Sequence, residues 1–187
     1  MNTIRIKVNP DDVELAMDRH AEGKKRYSHL PNTRVMGPHI WAGALGEIIF
    51  QRFLTVNNVD HTWAPVKKQR TEPDFLVGKL QLETKTQNAH YYLKDTYDLR
   101  VNLTQYQRND NTDEYFWMNF NHDTGYMELV GFMSKRLFGI QSETILEGST
   151  RNGRTVPYSH RIVPAGTVGD PAGWLAYEQQ LQLERVA

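Results

Sequence analysis

The sequence predicts an α/β fold, with a central mixed β-sheet flanked by helices. Three observations carry this. Apolar residues recur at helical spacing in two early segments, 10–25 and 39–54, and in a late one, 171–185. Two hairpin signatures lie between them. One is EPDFLVGKLQLETK at 72–85; the other is the aromatic run 115–120, joined through NHDTG to 126–133. A short polar helix, 101–108, separates the two. The order is therefore helix, helix, hairpin, helix, hairpin, helix. With 187 residues, 39% of them hydrophobic, residues 1–187 suit a single domain with a sizeable core.

Ile4, Ile6 and Val8 alternate with Arg5 and Lys7, which reads as a strand over 3–8. Asn9 is a suitable N-cap for the helix 10–25, with Pro10 at its first position and Asp11 and Asp12 in its first turn. Residues 27–37 read as a loop, and Pro38 opens the second helix. In that helix Ile40, Gly43, Glu47, Phe50 and Leu54 repeat at spacings of three and four, so they share one face. Glu47 thus sits inside an apolar stripe, where a carboxylate needs a cation or hydrogen-bond donors. Gly43 and Gly46 permit close approach of this helix to a sheet. Residues 61–66 read as a strand. After the second hairpin, 134–137 begins a short helix, 148–153 is a loop, 156–163 is a late strand, and Asp170-Pro171 caps the last helix.

The chain is organised around the first hairpin. Gly78-Lys79 suits a two-residue type II′ turn, which fixes the register symmetrically about it. Val77 then faces Leu80, Leu76 faces Gln81, Phe75 faces Leu82 and Asp74 faces Glu83. Opposed side chains lie on the same side of a sheet, and Lys85, two residues past Glu83, joins them. One face holds Asp74, Glu83 and Lys85; the other holds Phe75, Val77, Leu80, Leu82 and Thr84 and is a core face. Two opposed carboxylates repel, so Asp74→Asn is expected to raise stability in the absence of metal. A divalent cation between them offsets the repulsion, and hard cations such as Mg²⁺ or Mn²⁺ take oxygen ligands of this kind. With an ammonium beside them to hold a water, this is equipment for metal-assisted phosphodiester hydrolysis. Lys85 is placed on the polar face, so Lys85→Ala is expected to spare folding.

Pro73-Asp74, eight intervening residues and then Glu83-Thr84-Lys85 resemble the signature of the PD-(D/E)xK nuclease superfamily. The resemblance covers roughly 41–130. It implies a restriction-endonuclease-like core and a Mg²⁺-dependent deoxyribonuclease, of the kind phages and mobile elements encode. It implies that Asp74 and Glu83 bind the metal, with the Thr84 carbonyl as a further ligand. Glu47, as the helical acid, binds a second metal or a metal-bound water, and Lys85 positions or deprotonates the attacking water. DNA is the implied partner, and cutting both strands calls for a homodimer. Lys67, Lys68 and Arg70 before the hairpin are candidate backbone contacts. Gln87 shares the face of Glu83 and Lys85, and Tyr91 can stack on a base.

Composition bounds these readings. Lys+Arg and Asp+Glu are both 22, so there is no net charge to drive nonspecific nucleic-acid binding. Two alternatives therefore stand beside the nuclease: a catalytically inactive nucleic-acid-binding protein on the same fold, and a metal-dependent interaction module. There is no cysteine, which excludes disulfides, thiolate catalysis and iron–sulfur clusters. No apolar run approaches the roughly 18 residues of a membrane span, and residues 1–7 are not a signal peptide. A reducing cytoplasm is the expected location.

Overall fold

The computed structural model describes residues 2–27, 41–63, 72–108, 111–151 and 153–186, save the side chains of 23–27 and 185–186. Its centre is a six-stranded mixed sheet of β1 (Ile4–Lys7), β2 (His61–Trp63), β3 (Phe75–Val77), β4 (Leu80–Ala89), β6 (Glu114–Asn121) and β7 (Tyr126–Ser134). The strand order is β1-β7-β6-β4-β3-β2. Every pair is antiparallel except β4 with β6. Tight turns explain the antiparallel neighbours. In the β6–β7 turn the Asn121 side-chain oxygen accepts from Asp123 N and Thr124 N, and Gly125 takes φ 67°. A parallel pair needs a crossover. Here it consists of β5 (Asp98–Asn102) and α3 (Leu103–Arg108).

One face of the sheet is covered by α1 (Pro10–Tyr27), α2 (Trp41–Val56) and α5 (Pro171–Val186). Alternation along β6 sends Phe116, Met118 and Phe120 to this side. There they pack with Phe75, Val77 and Leu82 of the hairpin, Phe50 and Phe53 of α2, and Trp174 of α5. Arg52 of α2 ties the layer together, donating to Asp12 Oδ2 of α1 (2.6 Å) and to the Lys7 carbonyl of β1 (2.7 Å). On α5, Trp174 Nε1 donates to Glu114 Oε2 (3.2 Å). The Glu114 carboxyl is pushed up from the usual range, first by burial and then by the charges of Glu178 and Asp113, against the bond from Trp174.

The other face carries a second layer. β5 pairs with β11 (His160–Pro164), which pairs with β8 (Glu143–Ile145). Leu99, Val101 and Val163 of this small sheet pack with Phe138 of α4 (Lys135–Gln141) onto Tyr115, Trp117, Val130 and Met133 of the main sheet. Ser134 caps α4 by accepting from Leu137 N. β9 (Thr150–Arg151) and β10 (Arg154–Thr155) form a small hairpin.

The structure departs from the sequence reading in several places. Residues 98–102 form a strand and only 103–108 a helix, because β5 pairs with β11, some sixty residues on; no local pattern shows that partner. The late strand is β11, shifted toward the C-terminus of 156–163, and β8 and the β9–β10 hairpin fall where a loop was expected. On α2, Phe50 and Leu54 are buried as expected, but Gly43 is exposed and Glu47 only half-buried. The buried residues include Ala42, Leu45, Gly46, Ile49 and Phe53. The segment is apolar nearly all round, so several faces fit a helical template equally well. The expected close approach occurs at Gly46, where a Cβ would collide with Thr86 Oγ1 of β4; Gly43 faces open space. None of the described helices is long and apolar enough to cross a membrane.

Candidate functional site

The hairpin register is the one its turn dictates: Val77 with Leu80, Leu76 with Gln81, Phe75 with Leu82. Gly78 has φ 59°, and among the described non-glycine residues only Asn58 has positive φ, which suits type II′ rather than I′. The ladder stops at Phe75. The backbone bends at Asp74, so alternation does not extend to it. Its carboxylate instead takes the position of a ladder acceptor: Oδ2 accepts from Thr84 N at 2.7 Å and from Thr84 Oγ1 at 2.9 Å. Asp74 is 4% exposed and Thr84 8%, so these bonds lie in a dry setting where losing them is expensive. Asp74 therefore has a structural partner in Thr84. The expectation that Asp74→Asn stabilises the metal-free protein is replaced by its opposite.

Glu83, 2% exposed, points to the second layer. Its Oε1 accepts from Lys85 Nζ at 2.7 Å and from Gln105 Nε2 of α3 at 2.9 Å. The polar face of the hairpin is thus covered. In the parallel ladder Glu83 lies beside Tyr115 and Lys85 beside Trp117, and both aromatic residues are fully buried. The Lys85 side chain is only 13% exposed, which removes the reason for expecting Lys85→Ala to spare folding. Lys85 Nζ stands 5.9 Å from the centroid of the Tyr115 ring. The Tyr115 phenol is pushed well above its ordinary value, first by burial, then by the Glu83 charge and Tyr106; Arg161 opposes the shift.

Gln105 is the site residue that sequence reasoning missed. Its only signal was polarity on a short helix. α3 has no buried residue, and its tie to the sheet here is this bond together with the Asn102 cap, whose side-chain oxygen accepts from Thr104 N and Gln105 N. Gln105→Ala is expected to lower stability by about 1 kcal/mol, since Glu83 retains Lys85. Urea denaturation checks it: a midpoint equal to that of the wild type would show that Gln105 contributes nothing to holding Glu83.

The remaining predicted residues are scattered. Glu47 lies at the α1–α2 side, and its charge acts on the Arg19 guanidinium, which is depressed chiefly by its own burial and stacks 3.9 Å over Trp63. Gln87 donates to the Asp98 carbonyl at 2.7 Å and so anchors β5. Tyr91 is exposed and packs against Tyr97 at 5.2 Å. Lys67, Lys68 and Arg70 lie outside the described residues. Among the described residues no group of three or more His, Asp or Glu side chains converges to hold a metal ion. The structure brings Asp74 to Thr84, and Glu83 to Lys85, on one hairpin. Comparison of the chain with protein-family models, curated proteins and solved structures finds no match.

Proposed function

We propose that the chain is a Mg²⁺-dependent deoxyribonuclease on a restriction-endonuclease-like core. The observation that carries this reading is the pair of buried carboxylates Asp74 and Glu83 on adjacent strands, with the Lys85 ammonium 2.7 Å from Glu83. Charges are not buried in this way without a strong compensating use. The element order supports the same reading: α2, an antiparallel β2–β3–β4 meander, a crossover, then β6 parallel to β4.

The donor set suits a hard cation. Asp74, Glu83 and the Thr84 carbonyl would hold Mg²⁺, with Mn²⁺ as a substitute, and Glu47 would act from outside on a metal-bound water. When bound, the ion neutralises phosphate charge and makes a water more acidic. The chain's own residues do the rest. Thr84 fixes Asp74 through two hydrogen bonds, and Gln105 orients Glu83. Lys85 positions the attacking water and stabilises charge developing on the phosphate. Gln87 supports the site by holding β5, while Tyr91 offers an exposed ring to a base. Lys67, Lys68 and Arg70, just before the hairpin, are assigned to the DNA backbone, and a homodimer would supply a site for each strand.

Incubating the protein with plasmid, linear duplex, single-stranded and branched DNA, with Mg²⁺ or with EDTA, tests this. Cleavage that requires Mg²⁺ is expected. Binding without cleavage would replace the reading with an inactive nucleic-acid-binding protein, and neither result would leave a metal-dependent interaction module. Glu47→Gln is expected to weaken Mn²⁺ binding several-fold by calorimetry, less than loss of Asp74 does, because its contact passes through water. Equal affinity would remove α2 from the site.

A further inference from the structure

Tyr115 carries a hydroxyl that the proposed chemistry has not used. The residue is fully buried, and among the described residues its hydroxyl has no hydrogen-bond partner. Buried polar groups are nearly always paired, so an orphan of this kind calls for an explanation. Its position supplies one. Tyr115 stands beside Glu83 in the parallel β4–β6 ladder, and its side chain projects to the same face.

Glu83 meets both of its donors through one oxygen, Oε1. Lys85 cannot hold Glu83 at 2.7 Å and also serve a water or a phosphate oxygen. When the ammonium turns to substrate, the buried carboxylate loses its strongest donor, and a buried charge left in that state is costly. We propose that Tyr115 is a positioning residue that donates to Glu83 when Lys85 leaves it. The spare hydroxyl is a reserve partner, idle in the resting protein and engaged during turnover. Burial and the nearby Glu83 charge keep the phenol protonated, so it remains a donor at neutral pH. A neutral donor also holds the carboxylate without cancelling its charge, as an ammonium would.

The catalytic half of this proposal rests on the nuclease reading; the hydrogen-bond exchange does not, and a stability cycle isolates it. Tyr115→Phe is made in the full chain in two backgrounds, wild type and Lys85→Met, the latter keeping the aliphatic stem so that the protein still folds. Urea denaturation in metal-free buffer is the readout. In the wild-type background Tyr115→Phe is expected to leave the folding constant unchanged or raised, because the hydroxyl has no partner to lose. In Lys85→Met the same change is expected to lower it roughly tenfold, because there the hydroxyl holds Glu83. Equal effects in both backgrounds would overturn the proposal, and so would a loss in the wild type alone. On DNA with Mg²⁺, Tyr115→Phe is expected to reduce kcat roughly tenfold with KM unchanged. A kcat within two-fold of the wild type would also overturn it. A wild type that cuts no DNA would remove the nuclease reading and leave the stability cycle to decide the exchange.

Discussion

Lys85→Ala is expected to abolish Mg²⁺-dependent cleavage, a loss of roughly 10²–10⁴-fold, and also to destabilise the protein. The second effect follows from burial. The Lys85 side chain is 13% exposed and the Glu83 side chain 3%, with 2.7 Å between the charges. Removing one partner of a buried pair typically costs about 3–5 kcal/mol, and Gln105 softens the loss to the lower end. The two effects separate in a double variant. Adding Glu83→Gln to Lys85→Ala removes the stranded charge and should restore much of the stability, while cleavage stays absent. Turnover within a few-fold of the wild type would take Lys85 out of the mechanism. Full stability of Lys85→Ala would mean that the pair is far better solvated than its burial implies.

Asp74→Ala is expected to lower the thermal midpoint in EDTA by roughly 5–15 °C. It strands two buried donors at once, the Thr84 amide and hydroxyl, at about 1–3 kcal/mol each. Asp74→Asn keeps a carbonyl oxygen for the amide and should fall between this variant and the wild type. Repulsion from Glu83 acts in the opposite direction, but Glu83 already shares its charge with Lys85 and Gln105. The bonds to Thr84 therefore dominate. A midpoint at or above that of the wild type for either variant would reverse that ranking and make the like-charge pair the stronger term.

The hairpin was legible because its geometry is local. Gly78 can adopt positive φ, a two-residue loop leaves one register, and Phe75, Val77 and Leu82 reach the core as alternation requires. The bend at Asp74 was not legible, since nothing in PDF says where a strand stops. The polar face was misjudged for a different reason. Glu83 and Lys85 read as solvated until β6 places Tyr115 and Trp117 beside them, with the second layer packed on both rings. That layer depends on β5 pairing with β11 across the chain, as does the placing of Gln105 on α3. For Glu47 the difficulty was excess signal: a helix as apolar as α2 satisfies more than one periodic template. The caps at Ser134 and Asp170 were readable, because a cap needs only its own first turn.

The crossover between β4 and β6 has a consequence for the order in which the protein folds. The β3–β4 hairpin closes through a two-residue turn, and hairpins of this kind form in microseconds. Lys85 and Glu83 lie on one strand, so their ion pair can assemble at that stage. Docking β6 against β4 requires the intervening chain, β5 and α3 included, to close first, and such non-local parallel pairing is slow. Early in folding, Glu83 and Lys85 are therefore a wet, exposed pair. They become a buried one only when Tyr115 and Gln105 arrive. Substitutions at Gly78 should slow an early event, whereas those at Tyr115 or Gln105 should act mainly on the rate of unfolding.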